Sequence, residues 1–190
     1  MNQEEFFVAV LKALENCRIP YMIGGSVGAM VYGEPRLTND IDIIADLQAT
    51  HVDALLSAFA SEAYYVPSAE FVQAIIRRHE MFDIIHVESG SKADIIILKD
   101  DHFGRTEFAR RARVPFTMGC EAYAASPEDV IVAKLRCFLT GRSEKHLRDI
   151  AGMIQISGER LDRSYIEQWV HSLGLGDGWS AATRLAEADE

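Results

Sequence analysis

The sequence has few cysteines, no long apolar run and no excess of basic charge. Its three cysteines, Cys17, Cys120 and Cys137, are too scattered for a zinc-binding pattern and odd in number. We therefore expect reduced thiols in a cytosolic protein. The longest apolar runs are far shorter than the roughly 20 residues that a membrane-spanning helix needs. The N-terminus, Met1–Glu5, is acidic, unlike that of a signal peptide. These absences predict a cytoplasmic protein with no membrane segment.

The net charge of −10 argues against a surface that binds nucleic acid broadly, because such surfaces are usually basic, at least locally. Local basic groups are better explained as solvated helix faces; they are Arg77–Arg78, Arg110–Arg111 with Arg113, and the set Arg136, Arg142, Lys145 and Arg148. The six histidines show no metal-ligand spacing, and the Gly-Ser pairs lack the flanking residues of a serine nucleophile. The chemistry must therefore be sought among the acidic residues.

The pattern of apolar residues changes near residue 125. Before it, helical and strand-like periods alternate, and after it the period is helical. The sequence therefore predicts an α+β fold, with a mixed β-sheet flanked by helices over residues 1–125 and a small C-terminal helical subdomain over residues 126–190. The predicted helices span 3–16, 26–32, 52–59, 68–78, 106–111, 127–139, 143–156 and 162–174. The predicted strands span 21–23, 40–45, 82–87, 93–98, 114–117 and 121–124. Residues 176–178 are predicted to be a loop, followed by a frayed helix over 180–188.

Asp40 and Asp42 are the strongest candidates for catalysis. They alternate with Ile41 and Ile43 in the run Asp-Ile-Asp-Ile. A strand alternates its faces with period two, so both carboxylates project from one side and both isoleucines point into a core. Adjacent carboxylates repel each other unless a cation lies between them. An exposed edge strand would show the same alternation. We interpret the pair as ligands of Mg²⁺, which takes hard oxygen donors.

A glycine-rich turn, Gly24-Gly25-Ser26, lies upstream of the carboxylates, between a short apolar strand and a predicted helix. Glycine lets the backbone approach phosphate oxygens closely, and a helix start favours anions. Ser26 can donate its hydroxyl and its N–H. A phosphate-binding turn followed by a two-carboxylate strand indicates metal-dependent phosphoryl or nucleotidyl transfer.

Asp94, Arg36 and Thr38 complete the candidate site in this half of the chain. Asp94 is set in the apolar strand Ala93–Leu98, where an unpaired charge would be costly and a metal would offset that cost. It could also help to deprotonate an attacking hydroxyl. The alternative is a solvent-facing Asp94 beside Lys92. Arg36 and Thr38 precede the carboxylates, and a guanidinium matches phosphate geometry, although a solvent-facing loop arginine is the simpler explanation of Arg36.

Lys134 falls inside the apolar arc of the helix predicted over 127–139, defined by Val130, Ile131 and Phe138. A lysine there must extend to solvent or meet an anion. A bound triphosphate and the carboxylate of Asp149 are the two candidate anions. Arg148 and Asp149 are predicted to support the site without contacting the reacting atoms.

At these residues the sequence resembles the nucleotidyltransferase superfamily typified by DNA polymerase β. That superfamily has a Gly-Gly or Gly-Ser turn, an acidic–hydrophobic–acidic strand and a third acid on a later strand. The resemblance spans residues 18–156, and it is similar in detail to the bacterial AbiEii-like branch, which contains toxin nucleotidyltransferases of toxin–antitoxin systems. The segments that carry this likeness are Arg36-x-Thr38-x-Asp40-Ile41-Asp42, the predicted hairpin 82–98, Ser126-Pro127-Glu128-Asp129, Lys134 and Arg148-Asp149.

The resemblance implies a nucleotidyltransferase-type mixed sheet, two Mg²⁺ ions, and transfer of a nucleoside monophosphate from an NTP such as ATP to a hydroxyl, with release of pyrophosphate. It implies that Asp40 and Asp42 ligate both metals, that Asp94 ligates one, and that Gly25 and Ser26 bind phosphates. The chain is shorter than branch members with a long C-terminal helical portion, which leaves the acceptor open. RNA or protein is favoured over a small molecule. A cognate antitoxin or a second copy of the chain is the expected macromolecular partner.

Two other functions remain open at this point. A catalytically silent module that senses nucleotide or binds a partner would keep the same fold, and the acidic charge and short C-terminal portion favour it. A helical interaction protein with incidental acids would hold Asp40, Asp42 and Asp94 more than about 10 Å apart, too far for ligands of one Mg²⁺.

Overall fold

The computed structural model describes residues 1–33, 38–117 and 119–188. These residues divide into two compact units. The first unit contains the described residues of 1–24 and 38–125, and the second contains those of 25–33 and 126–188. Within these ranges, no helix is both long and apolar enough to cross a membrane.

The first unit is built on one mixed β-sheet. In the described part of the chain its seven strands are β1 (Tyr21–Ile23), β2 (Asp40–Ala45), β3 (Tyr64–Tyr65), β4 (Met81–His86), β5 (Lys92–Ile97), β6 (Ala112–Pro115) and β7 (Glu121–Ala124). Their spatial order is β3-β4-β5-β2-β1-β7-β6. The pairs β2–β5 and β1–β7 are parallel, whereas the other neighbouring pairs are antiparallel. The α+β class and the mixed sheet predicted from the sequence are confirmed.

The described residues form nine α-helices, divided between the two units. They are α1 (Gln3–Asn16), α2 (Gly25–Tyr32), α3 (Val52–Ser57), α4 (Ala69–Arg78), α5 (His102–Arg110), α6 (Pro127–Gly141), α7 (Glu144–Ser157), α8 (Arg163–Leu173) and α9 (Gly176–Ala188). The first unit holds α1, α3, α4 and α5. Side-chain caps begin several of them: Ser68 accepts from Phe71, and Ser126 accepts from Asp129. Such caps satisfy backbone N–H groups that have no partner within the helix.

One face of the sheet carries the core of the first unit. Ile41 and Ile43 of β2 and Ile95 of β5 are fully buried on that face. Helix α1 packs there, with the Phe6 ring centroid 6.1 Å from that of His86. Because strand side chains alternate, the residues between these isoleucines point to the opposite face. This alternation, predicted from the run Asp-Ile-Asp-Ile, is confirmed.

The second unit contains α2 together with α6, α7, α8 and α9. Helix α2 packs on α6 and α7, and its residues Val27 and Ala29 are buried. From the sequence, residues 25–37 were predicted to belong to the α/β half, whereas the described residues 25–33 group with the second unit. In the sequence, α2 lies between the strands β1 and β2. Its apolar side is nevertheless buried against α6 and α7, which begin about a hundred residues later.

Several element boundaries differ from the predictions. The predicted hairpin strands lie one residue earlier, and β3 has only two residues, too few for a period-two pattern. Helix α5 begins four residues before the predicted start because the Asp101 carboxylate caps it by accepting from the Gly104 N–H, at 2.6 Å. The predicted loop 176–178 is the first turn of α9. A Cβ at Gly178 would lie 3.1 Å from side-chain atoms of Leu135 and Phe138, so the glycine lets α9 approach α6 closely.

Candidate active site

Acidic side chains cluster on the face of the sheet opposite the core. The parallel register of β2 and β5 pairs Asp42 with Asp94 and Asp40 with Lys92. The antiparallel register of β4 and β5 pairs Asp83 with the same Asp94. Neighbouring strands are about 4.8 Å apart. Asp42, Asp94 and Asp83 therefore lie side by side across β2, β5 and β4, and Asp40 and Lys92 lie side by side two residues earlier on β2 and β5. A helical interaction protein with widely separated acids is therefore excluded.

The aspartates differ in burial. Asp40, Asp42 and Asp83 are half-buried, whereas only 6% of the surface of Asp94 is exposed. The apolar strand around Asp94 predicted this burial. An ionised carboxylate so placed requires a positively charged or hydrogen-bonding partner, and in this structure the partner is the side chain of Lys92.

Lys92 forms an ion pair with Asp94 through both carboxylate oxygens. Its Nζ lies 2.8 Å from Oδ1 and 2.9 Å from Oδ2. Only the contact with Oδ2 has the geometry of a hydrogen bond, so Oδ1 is buried without a hydrogen-bond partner among the described residues. The pKa of Asp94 is raised from 3.8 to about 6: burial is the largest cause, the hydrogen bond to Lys92 lowers the pKa, and the neighbouring Asp83 carboxyl raises it. The pKa of Lys92 is raised by the hydrogen bond to Asp94, and the charges of Asp83 and Asp40 contribute.

Asp83 was missed by the sequence analysis. The residue interrupts the apolar run of β4 in the same way that Asp94 interrupts β5. Its position opposite Asp94 follows from the hairpin register, which the turn Glu88-Ser89-Gly90-Ser91 sets. Combining the position of the turn with the period of two would have placed the Asp83 carboxylate beside that of Asp94.

The residues before β2 orient the first carboxylate. The Thr38 hydroxyl donates to the carboxylate of Asp40, and the Thr38 carbonyl accepts a hydrogen bond of 2.6 Å from the Gln3 side-chain amide. The structure therefore gives Thr38 a role in holding Asp40, while its predicted contact with nucleotide stays a prediction. Arg36, the other candidate in this segment, lies outside the described residues.

The glycine turn spans the boundary between the two units. Gly24, in the first unit, donates its N–H to the Asp42 carbonyl at 3.0 Å. A Cβ there would lie 2.6 Å from Cδ1 of Ile44, which explains the glycine by close approach. Gly25 has a φ of 55°, a left-handed conformation that glycine adopts at little cost. Gly25 and the buried Ser26 begin α2 in the second unit. Their predicted role in binding phosphate stays a prediction.

The second unit brings together two other predicted residues, Lys134 of α6 and Asp149 of α7. Lys134 Nζ lies 2.6 Å from Asp149 Oδ2, and the two side chains are 5% and 9% exposed. Of the apolar arc predicted around the buried Lys134, Val130 and Ile131 are buried and Phe138 is half-buried, and Leu135 is buried beside them. Of the two anions considered for it, the structure shows the carboxylate. Arg148, the neighbour of Asp149, is exposed.

A metal fits the chemistry of the acidic face. Carboxylate oxygens are the donors that Mg²⁺ prefers, and Asp40 and Asp42 present two carboxylates on one half-exposed face of β2. Within residues 1–33, 38–117 and 119–188, however, no three or more His, Cys, Asp or Glu side chains form a ready-made metal cluster. The ammonium of Lys92 stands among these carboxylates instead.

Comparisons with known proteins agree on the fold. Lincosamide antibiotic adenylyltransferase LnuA, in its lincomycin-bound crystal structure, is 17% identical with a TM-score of 0.55, over 82% of this chain and 98% of that chain. The antibiotic-resistance factor ANT(2'')-Ia is 13% identical with a TM-score of 0.59, over 98% of this chain and 97% of that chain. An antigenic nucleotidyltransferase-like protein from Paracoccidioides brasiliensis is 18% identical with a TM-score of 0.53, over 93% and 90% of the two chains. At these identities the likeness establishes the fold alone.

Comparison of the sequence identifies the family. No curated protein sequence matches the chain. The model of the family described as "Nucleotidyl transferase AbiEii toxin, Type IV TA system" matches residues 21–173. That range contains the carboxylate strands β2, β4 and β5 and the ion pair between α6 and α7. The chain belongs to the AbiEii nucleotidyltransferase family.

Proposed function

We propose that the chain is an enzyme that transfers a nucleoside monophosphate from an NTP, with ATP as the first candidate, to a hydroxyl of RNA or protein, and that it depends on Mg²⁺. The family supports nucleotidyl transfer. The observation that supports dependence on Mg²⁺ is the register that sets Asp42 and Asp83 on either side of the buried Asp94.

The carboxylates have separate roles in this proposal. Asp40 and Asp42 bind the divalent cation, and the Thr38 hydroxyl orients Asp40. Bound Mg²⁺ would neutralise negative charge on the phosphates and the attacking oxygen. Asp94 accepts the proton of the acceptor hydroxyl, a task suited to a carboxyl whose pKa burial raises to about 6.

The reaction balances as a substitution at the α-phosphorus. The acceptor oxygen forms a bond to that phosphorus, the bond to the bridging oxygen of pyrophosphate breaks, and pyrophosphate leaves. The proton of the hydroxyl moves to Asp94. Gly25 and Ser26, at the start of α2, hold the leaving phosphates through backbone N–H groups and the Ser26 hydroxyl.

The test is transfer of label from four α-labelled NTPs, with Mg²⁺, to total RNA, to lysate protein, and to the antibiotics lincomycin and tobramycin. Label on RNA or protein, with release of pyrophosphate, is the expected result. Asp42→Asn should reduce it at least about a hundredfold, the scale of losing one preorganised electrostatic partner. Asp53→Asn, an equal change of charge at an exposed position of α3, should leave it unchanged. Equal transfer by the Asp42 variant and the wild type would contradict the proposal.

The ion pair of Lys92 with Asp94 favours a second candidate, a catalytically silent module that binds nucleotide. In that case calorimetry would detect binding of ATP with Mg²⁺, while no acceptor would yield pyrophosphate. A cognate antitoxin or a second copy of the chain would then be its partner.

A further inference from the structure

Lys92 stands where a cation would neutralise the acidic face. Its ammonium contacts both oxygens of Asp94, and the charges of Asp83 and Asp40 also raise its pKa. The charges of three carboxylates, Asp94, Asp83 and Asp40, therefore act on this ammonium, which belongs to the same strand as Asp94.

The pair is not an ordinary surface salt bridge. Its side chains are 33% exposed for Lys92 and 8% exposed for Asp94, whereas surface pairs are well solvated and contribute little. Separating the two would leave the Asp94 carboxylate buried and uncompensated. A divalent ion that took the oxygens of Asp94 would have to displace the ammonium, and the charge of the ammonium would repel it.

We propose that the Lys92 ammonium takes the place of one of the two divalent cations at Asp94, so that the nucleotide-free protein holds a single tightly bound divalent ion, at Asp40 and Asp42. This inference rests on the proposed function only in the choice of the site. It assigns Lys92 a positioning role, because the ammonium fixes the orientation of the Asp94 carboxylate.

The test counts bound Mn²⁺ on the full chain without nucleotide, by the loss of the electron paramagnetic resonance signal of the free ion. We expect one tight ion per wild-type chain. Lys92→Met should create a second site at least about tenfold tighter than any second site in the wild type, and Lys92→Arg should keep one. Lys12→Met makes the same change of charge at an exposed position of α1, and it should also keep one.

The number of Mn²⁺ ions bound by the wild-type chain tests the inference even if the Lys92→Met variant does not fold. Two equally tight ions in the wild type, or none, would overturn the inference, as would a folded Lys92→Met protein that still binds one. The number of bound Mn²⁺ ions is measured without nucleotide, so it does not depend on whether the protein catalyses nucleotidyl transfer. One ion in the wild type and two in the variant, without pyrophosphate release, would retain this inference and refute the proposed function. Pyrophosphate release by a wild-type protein that binds two ions tightly would retain the proposed function and refute this inference.

Discussion

The buried ion pair of the second unit gives a prediction whose size follows from the structure. Lys134 and Asp149 are nearly inaccessible to solvent and 2.6 Å apart. Removing one partner of such a pair leaves the other charge buried and typically costs about 3–5 kcal/mol, whereas replacing both with apolar residues is often neutral. We expect Lys134→Met and Asp149→Leu each to lower the free energy of unfolding by about 3–5 kcal/mol, and the double variant to lie within about 1 kcal/mol of the wild type.

The assay uses the two tryptophans of the chain, Trp169 in α8 and Trp179 in α9. Both lie in the second unit, so their fluorescence during urea titration reports the unit that contains the pair. Lys145→Met, at an exposed position of α7, should change the unfolding free energy by less than about 0.5 kcal/mol. Single variants that cost under about 1 kcal/mol, or a double variant whose cost equals their sum, would refute the reasoning.

The same double variant separates stability from nucleotide binding. A bound triphosphate is one of the two anions predicted for Lys134 from the sequence, and this role predicts that ATP affinity stays reduced when stability has been restored. A role confined to the ion pair predicts that ATP affinity returns with stability. Calorimetry of ATP with Mg²⁺, on the wild type and on the Lys134→Met/Asp149→Leu protein, decides between them.

Three other predictions concern single side chains. Because the pKa of Asp94 is raised from 3.8 to about 6, the folded state binds more protons than the unfolded state between these values. The contribution of Asp94 to stability therefore falls, by at most about 3 kcal/mol, between about pH 4 and pH 7. Asp94→Asn should remove this slope from urea titrations across pH, and an unchanged slope would contradict the assignment. Gly104→Ala should cost about 1–3 kcal/mol in thermal unfolding because its Cβ would lie 2.7 Å from a backbone oxygen. Gly141→Ala is the control: no atom lies within 4 Å of the added Cβ, so it should be neutral or stabilise by up to about 1 kcal/mol. If Gly104→Ala cost less stability than Gly141→Ala, α5 would have to move to accept the methyl group. Tyr165→Phe removes a hydrogen bond to the fully buried Asp129 carboxylate and should cost about 1–3 kcal/mol by tryptophan fluorescence; a smaller loss would mean that the other contacts of Asp129 suffice.

The parts of the site that sequence reasoning predicted well are those set by local periodicity. Asp40 and Asp42 share a face because a strand repeats every two residues, and Lys134 is buried because a helix repeats every 3.6 residues. Both conclusions need only the residues on either side. The same holds for the caps at Ser68 and Ser126, whose geometry involves residues three positions apart.

What the sequence analysis missed depends on contacts between distant segments. Asp83 belongs to the candidate site only because the register of β4 against β5 sets it opposite Asp94. The partner of Lys134 lies fifteen residues away on the next helix, and the period of α6 cannot select Asp149 over a phosphate. Helix α2 follows a strand in the chain but packs with helices that begin at Pro127. Such pairings follow from the tertiary fold.

The charge of the acidic face links the structure of the first unit to its ligand. Like charges opposite each other on neighbouring strands destabilise a sheet, and here Asp42 and Asp83 both face Asp94 across β5. The Lys92 ammonium, which contacts Asp94, offsets part of that repulsion. A cation bound at Asp40 and Asp42 would offset more of it, and a ligand that binds only the folded state stabilises that state. A cation bound at the face that carries the proposed chemistry would thus also stabilise the sheet, so occupancy of the site and stability of the first unit should rise together.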